Sequence, residues 1–267
     1  MNRFTRRGLW WLLVLPAVAL GQSREARQLL DRGRELFREH DDTGDALREA
    51  ETAFRQALVL EPKFASAQAY LGLIALEQQR PDAERFFTQA LSWDPRCAEA
   101  LVGLAHMDQS RGRRQQALEL LRRAVSGAPR NAMARRELGY ALTNEIANPN
   151  AAMRQEAVDQ WRALIGLDRN DRDAHYELAH TYRQLGRWRE AEPEFREVLR
   201  IGQTADDSDV WVYSVHGELA EALARQGKTA EAIREYEALI ASGVAGDEEI
   251  RQAREAIANL QRALRSK

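Results

Sequence analysis

The histidines are the residues of this 267-residue chain that could bind a metal ion or act as a catalytic base. His175 and His180 are five positions apart with Glu177 between them, whereas the zinc-protease motif places its two histidines four positions apart on one helix face. His175 and His216 stand at positions spaced like the buried face of a helix. We therefore predict two packed histidines and no metal site.

Other chemistry-bearing patterns are equally incomplete. The one cysteine, Cys97, excludes an intramolecular disulfide and a cysteine-based metal cluster. We predict a partly buried residue there, with a cross-link to a partner as the alternative. Two acidic stretches, residues 41–45 and 206–209, lack the full ligand spacing of a calcium loop and are expected to be solvated turns. The sequence shows no phosphate cradle, nucleophile elbow or haem-attachment pair, so we predict no catalytic residues, cofactor or small-molecule substrate.

Charge and composition indicate the fold class of the chain and the kinds of partner it can bind. The 39 Lys and Arg residues are balanced by 41 Asp and Glu, which leaves a net charge of -2 and no excess for binding phosphates, so a nucleic acid partner is not expected. Alanine outnumbers valine, isoleucine and threonine together, which favours helices over an extensive sheet. The composition therefore predicts a folded all-α protein.

The first 21 residues have the three parts of a secretory signal peptide. Arginines at positions 3, 6 and 7 are followed by the apolar residues 9–15, and small residues come after Pro16. Cleavage after Ala19 and cleavage after Gly21 both fit this pattern. The apolar stretch at residues 8–20 is shorter than the roughly 20 residues that span a bilayer, so cleavage is expected rather than anchoring by an uncleaved signal.

The route and destination of export are read from the same segment. Residues 5–9 also resemble a twin-arginine signal, which serves proteins that fold before translocation, so both export routes stay open. The excess of arginine over lysine is typical of a GC-rich bacterial genome. Together these features predict a bacterial protein that is periplasmic or secreted after signal cleavage.

A pattern with a period of about 34 residues dominates the rest of the chain. Its first copy places Ala50, Phe54 and Ala57 at i, i+4 and i+7, which is one face of a helix, and closes with Pro62. Five further copies begin at Ala83, Ala117, Ala157, Ala191 and Ala232. A second segment with helical spacing precedes each copy, and turn glycines such as Gly112, Gly186 and Gly227 separate the two. The pattern predicts an antiparallel helix pair repeated six times.

The combined pattern resembles the tetratricopeptide repeat, in which Leu-Gly and an aromatic residue in the first helix precede Ala, Phe, Ala and Pro in the second. Tyr70-Leu71-Gly72 and Leu138-Gly139 match the first half of that repeat. The resemblance implies a right-handed α-solenoid of about six antiparallel helix pairs over residues 22–246. Apolar residues with helical spacing at residues 247–267 predict a C-terminal capping helix.

Three departures from the repeat are predicted to form loops or distortions. Extra residues fall near positions 40–45, 148–154 and 203–212, and insertions in such repeats normally map to loops. Pro193 lies in the second helix of the fifth repeat, where it is tolerable near the helix start and would kink the chain further in.

In this family, first-helix positions that turn away from the core line a concave binding groove. Carried onto this sequence, they predict a partner-binding groove at His106, Arg136, Tyr140, Tyr176, His180 and Arg183. The same reasoning adds Val102, Gln109, Thr143, Glu221 and Arg225. Aromatic and arginine side chains often dominate binding energies, so we expect a partner segment with a carboxylate and an apolar anchor.

The resemblance implies a noncatalytic scaffold or adaptor that binds a protein or peptide segment, here in the bacterial cell envelope. A periplasmic chaperone that transiently holds unfolded or extended clients is the alternative. An enzyme or metal-dependent sensor is a third class, which the missing motifs disfavour. The Lys and Asn constellation with which some of these domains grip a chaperone tail is absent, because Val102, His106, Arg136 and Tyr140 occupy the corresponding places.

Overall fold

A computed structural model describes residues 11–39, 44–145, 150–202, 214–243 and 245–265, with the backbone alone for residues 11–22 and 144–145. Within these residues the chain forms thirteen α-helices and a π-helical turn, without strands. It divides into two compact units, residues 1–134 and 135–267. The predicted all-α fold is confirmed.

The first unit contains three helix pairs and the start of α7. Its helices are α1 (Trp11–Arg38), α2 (Asp45–Leu60), α3 (Ala65–Glu77), α4 (Ala83–Trp93), α5 (Ala98–Ser110) and α6 (Arg114–Gly127). Each odd-numbered helix packs against the even-numbered helix that follows it, and α3 also packs against α2 and α5. Phe54, Phe87 and Leu121 are fully buried at the predicted central position of the second helices.

Glycines let the first helices approach these buried rings. A Cβ atom built on Gly72 of α3 would lie 2.6 Å from Cε1 of Phe87, and one built on Gly103 of α5 would overlap the same ring. A single phenylalanine therefore packs against the backbone of its own pair and of the next pair. The small residues that the repeat pattern predicted thus make room for an aromatic ring.

The second unit contains the remaining pairs and the final helix. Its elements are α7 (Ala132–Tyr140) with the π-helical turn Ala141–Glu145, α8 (Ala151–Leu167), α9 (Arg172–Gln184), α10 (Trp188–Gly202), α11 (Val215–Arg225), α12 (Thr229–Ala241) and α13 (Asp247–Arg265). Consecutive helices pack in order, and α13 packs against α12. The predicted solenoid of antiparallel helix pairs with a C-terminal capping helix is confirmed.

The turn between α9 and α10 shows why glycine occupies this position in the repeat. Gly186 has a φ of 70°, a conformation that costs glycine least. Its N–H donates to the carbonyl of Arg183 at 2.9 Å, and the N–H of Arg187 donates to the carbonyl of Tyr182 at 2.9 Å. The turn thereby satisfies carbonyls at the end of α9 and reverses the chain.

The predicted distortions fall in three places. Pro193 lies inside α10, which continues to Gly202 without an interruption, so the proline is tolerated there. In the fourth repeat, residues 148–149 lie outside the described residues, Asn150 caps α8 and residues 151–154 form its first turn, so this part of the predicted insertion lengthens a helix instead of forming a loop. Residues 40–43 and 203–212 of the other two insertions lie outside the described residues. They include all of the acidic stretch 206–209 and most of the acidic stretch 41–45.

The predicted signal peptide, residues 1–21, falls partly outside the described residues. Residues 1–10 are not described, and the backbone from Trp11 onward belongs to α1. Within the described part of the chain, the helices are each too short or too polar to cross a bilayer. Export and its two cleavage points stay predictions.

Candidate partner-binding site

Two tyrosines on the first helices of the second unit are each anchored by an aromatic ring of the core. The ring of Tyr140 on α7 contacts the buried Trp161 edge-on, with centroids 5.2 Å apart and an interplanar angle of 68°. The ring of Tyr176 on α9 contacts the buried Phe195 in the same manner, at 6.4 Å and 65°. Both tyrosines are half-buried, so part of each ring stays accessible in a fixed orientation.

His180 and Arg183 continue this surface along α9. The imidazole of His180 stacks on Tyr176 with centroids 6.2 Å apart. Nη2 of Arg183 lies 2.9 Å from Nε2 of His180, and because a guanidinium only donates, that ring nitrogen accepts. Burial and the nearby charge of Arg183 lower the pKa of His180, which favours the neutral ring.

Arg136 is paired with acidic residues of the neighbouring repeat. Its Nη2 donates to Oδ2 of Asp171 at 2.7 Å, and its Nη1 lies 3.8 Å from Oδ2 of Asp173. Asp171 also caps α9, because its Oδ1 accepts the backbone N–H of Ala174 at 3.0 Å. Arg136 therefore joins α7 to the beginning of α9, in addition to presenting a positive group.

Glu177 is the residue on this surface that sequence reasoning missed. Burial raises the pKa of its carboxyl to about 7, and the negative charges of Asp173 and Glu218 act in the same direction. Its own charge contributes, after burial, to raising the pKa of Tyr140. In the sequence, Glu177 stood out only as a misplaced zinc-protease residue. Its position next to Tyr176 on a first helix could have identified it as a candidate for the binding surface.

Glu218 on α11 completes the acidic part of the surface. The hydroxyl of Tyr176 donates to its Oε1 at 3.1 Å, whereas its Oε2 is buried without a hydrogen-bond partner in the part of the chain that is described. Burial raises the pKa of the Glu218 carboxyl, although the charge of Arg183 and the bond from Tyr176 act against that shift. The carboxyl group is thus only partly compensated.

A cavity of about 620 Å³ opens between α11, α12 and α13, beside Glu218. Its lining includes Glu218, Glu221, Tyr236, Leu239, Ala253 and Leu260. Glu218, Glu221 and Arg225 come from α11, a third carboxyl comes from Glu249 on α13, and apolar atoms come from α12 and α13. The cavity therefore has three carboxyls and one guanidinium in its lining, beside an apolar part.

Two positions assigned to the groove are buried instead. Val102 is completely buried, because the first half of α5 is covered on all sides from Ala98 to Gly103. Thr143 is 7% exposed and donates from its hydroxyl to the carbonyl of Gly139 at 3.1 Å. It lies in the π-helical turn, whose wider spiral rotates later positions away from the α-helical register used for the prediction. Both assignments were wrong.

The other groove positions lie at least partly on the surface of their own unit. His106 and Gln109 are half-buried on α5 in the first unit. In the second unit, Nη1 of Arg183 lies 3.4 Å from Oε2 of Glu221, and Arg225 lies 3.6 Å from the other oxygen of the same carboxylate. The structure thus brings Tyr140, Tyr176 and their neighbours into a described surface, and places His106 in the other unit.

The residues considered for other chemistry are used in packing. His175 is 7% exposed, and its Nδ1 lies 2.6 Å from Oε2 of Glu194. His216 is half-buried, with its Nδ1 2.7 Å from Oε2 of Glu235. Burial and the neighbouring Glu99 raise the pKa of the buried Cys97 thiol to about 12, which disfavours the reactive thiolate. The packed position predicted for His175 and the burial predicted for Cys97 are confirmed.

A buried carboxylate organises the first unit in a way the repeat pattern did not reveal. Glu99 on α5 is 4% exposed. Its Oε1 accepts from Arg34 on α1 at 2.8 Å and from Asn131 at 3.1 Å, and its Oε2 accepts from Ser66 at 3.3 Å. The guanidinium of Arg34 also lies 5.4 Å from the centre of the Tyr70 ring. These groups form an internal brace that links successive first helices.

Comparisons with known families identify the repeat. Three family models described as tetratricopeptide repeat match residues 34–91, 76–136 and 171–243. The chain therefore contains tetratricopeptide repeats in both of its units, as the sequence resemblance predicted. Repeats of this kind are generally modules of protein–protein interaction, and their stacked helices are typically noncatalytic. No curated protein sequence matches the chain significantly.

Several solved structures share the fold at low sequence identity. PilF of Pseudomonas aeruginosa aligns with a TM-score of 0.56 and 17% identity, over 88% of this chain and 99% of that chain. A MamA RS-1 variant aligns at 0.53 and 15%, over 67% and 94% of the two chains. Human IFIT1, solved as a dimer with PPP-AAAA, aligns at 0.50 and 22%, over 82% and 50%. These similarities show the helical-repeat fold alone.

Proposed function

We propose that this protein is a noncatalytic scaffold that holds a segment of a partner protein on the first-helix surface of its second unit. This surface, called the tyrosine surface below, consists of Arg136, Tyr140, Tyr176, His180 and Arg183. The observation that carries the proposal is the anchoring of both tyrosines by buried rings. An aromatic side chain that is already held in place loses little conformational entropy when a partner binds.

The proposed cellular location is the bacterial envelope. It rests on the signal-like pattern of the first 21 residues and on the excess of arginine over lysine. His106 stays a predicted groove residue of the first unit. A chaperone that holds many extended clients transiently is the competing function, and it differs from a scaffold in binding unrelated segments without a fixed stoichiometry.

The test replaces the binding groups with apolar side chains that keep more of their volume than alanine would. Alanine at Tyr140 or Tyr176 would leave a larger void beside Trp161 and Phe195 than leucine does, so the truncation would disturb packing as well as binding. We therefore choose Tyr140→Leu, Tyr176→Leu and Arg183→Met together. A matched control replaces three exposed second-helix residues, Arg189, Arg234 and Glu237, by alanine.

The expected result is selective loss of binding. Quantitative capture from a bacterial envelope extract should retain the partner on the control and weaken it on the triple variant, by about 1–2 kcal/mol for each dominant contact. Circular dichroism should show the same helicity for both proteins. Recovery of the same partner with unchanged affinity on the triple variant would place the binding surface elsewhere and refute the proposal.

A further inference from the structure

The positive groups of the tyrosine surface are already paired within the protein. Arg136 is 2.7 Å from Asp171, and Arg183 is 3.4 Å from Glu221. A carboxylate on a partner would therefore have to displace an existing carboxylate from either guanidinium. The sequence-based prediction of a partner with a carboxylate considered these arginines without the acidic residues that neutralise them.

The negative groups, in contrast, exceed the available positive charge. Five carboxylates and three arginines lie on or beside the surface: the carboxylates are Asp171, Asp173, Glu177, Glu218 and Glu221, and the arginines are Arg136, Arg183 and Arg225. Glu177 makes no ion pair or hydrogen bond with its carboxylate among the described residues. Glu218 keeps one oxygen, Oε2, buried without a donor. An unpaired buried acceptor is costly, so a donor from a partner would be stabilising if the Glu218 side chain turns this oxygen toward the donor.

A second observation, independent of this charge, gives such a donor a place to enter. The 620 Å³ cavity lies beside Glu218, with Tyr236, Leu239 and Leu260 forming apolar parts of its lining. Lysine and arginine bury an apolar stem while their charged end meets a polar group. The lining holds three carboxyls, Glu218, Glu221 and Glu249, against one guanidinium, Arg225, so its excess of negative charge and its apolar part match both parts of such a side chain.

We propose that the partner segment is basic, and that one of its lysine or arginine side chains enters the cavity between α11, α12 and α13 to pair with Glu218. This inference rests on the proposed function, because it names the chemistry of the partner at the same surface. The aromatic rings of Tyr140 and Tyr176 border the unpaired Glu177 and add a favourable environment for a second cation.

The experiment uses three labelled peptides and the full chain. Each peptide is acetylated, amidated and twelve residues long, with leucine and alanine in one fixed frame and lysine, glutamate or glutamine at the variable positions. Fluorescence anisotropy measures the Kd of each peptide. We expect the lysine peptide to bind about tenfold or more tightly than the glutamate peptide at moderate salt.

Two variants and a control assign the effect to the cavity. Glu218→Gln should weaken the lysine peptide by about threefold or more and leave the glutamine peptide unchanged. Glu177→Gln should weaken the lysine peptide to a smaller extent. Glu255→Gln is the control, because Glu255 is exposed on α13 and does not line the cavity. Circular dichroism checks that each variant keeps its fold.

The outcomes separate this inference from the proposed function. Tighter binding of the glutamate peptide, or equal loss of affinity in Glu218→Gln and Glu255→Gln, would overturn the basic partner. Either result would leave the scaffold intact if binding still depends on Tyr140, Tyr176 and Arg183. Absence of saturable binding for all three peptides would count against both proposals.

Discussion

At the scale of single residues, Glu177 holds a carboxyl group whose pKa is raised to about 7 by burial and by neighbouring acids. The folded chain therefore binds this proton more tightly than the unfolded chain does. Because the folded state holds more protons between the ordinary pKa of 4.5 and about 7, the contribution of Glu177 to stability falls as pH rises through that window.

Glu177→Gln should consequently stabilise the protein at pH 8 and have little effect near pH 4. We expect a gain of the order of 1 kcal/mol at pH 8, because solvent screens part of the charge of this half-buried group. Urea unfolding at both values measures the difference, with Glu237→Gln as an exposed control. A gain that is equal at the two pH values would contradict an electrostatic origin.

A second residue-scale prediction compares two glycines in helices. Gly72→Ala should destabilise the chain by about 1–3 kcal/mol, because the added methyl group would meet the buried ring of Phe87. Gly166 in α8 has no atom within 4 Å of an added Cβ, so Gly166→Ala should be neutral or stabilising by up to about 1 kcal/mol. Thermal unfolding of the two variants should therefore shift in different directions. Similar losses for both would show that backbone propensity, rather than the ring, decides the effect.

The sequence predicted the positions of the residues better than their partners. Helical spacing placed Tyr140 and Tyr176 away from the main core, and the structure leaves both half-buried on the surface of their unit. It gave no sign that Arg136 would pair with Asp171, since the two residues are separated by 35 positions. Contacts between successive repeats depend on side-chain geometry that a periodic pattern does not contain.

At the scale of helices and turns, α13 covers the end of the sixth pair. Deleting residues 247–267 should expose Tyr236 and Leu239 to water, lower the midpoint of thermal unfolding by several degrees and reduce solubility, because a terminal repeat needs a solvating cap. Deleting residues 265–267 alone is the matched control and should have little effect. Equal stability and solubility of the two truncated proteins would refute the capping role.

The helix pairs themselves could be predicted because their signal is local and repeated six times. The π-helical turn after Tyr140 could not, and it accounts for the misplaced Thr143. A π-helical turn widens the spiral and shifts every later side chain around the axis. In the periodic pattern, the residues of this turn cannot be distinguished from a continuation of α7.

At the scale of the whole molecule, the proposed export signal and the folded chain overlap in α1. Among residues 23–38 of α1, the part of this helix whose side chains are described, Ala26 and Leu30 are buried, and both come after the proposed cleavage points. Cleavage should therefore leave these two buried side chains in place. We expect the mature protein to begin at Leu20 or Gln22, and a chain that starts at Gln22 to unfold at the same temperature as the full-length chain.

Sequencing of the N-terminus of protein from the envelope fraction checks this prediction. Retention of Met1 in a membrane-embedded form would contradict it. The two compact units and the brace around Glu99 could not be predicted at this scale, because the repeat pattern runs through the sequence with one period and does not record where packing is densest.

The position of Phe87 has a consequence for motion. A phenyl ring turns over only when its surroundings briefly move apart, and this ring is confined by the backbones at Gly72 and Gly103 in two successive first helices. Each ring flip must therefore wait for a fluctuation that loosens α3 and α5 together. Phe87 thus couples the opening fluctuations of the second and third helix pairs. The flip rate of its ring should measure how often these two pairs separate.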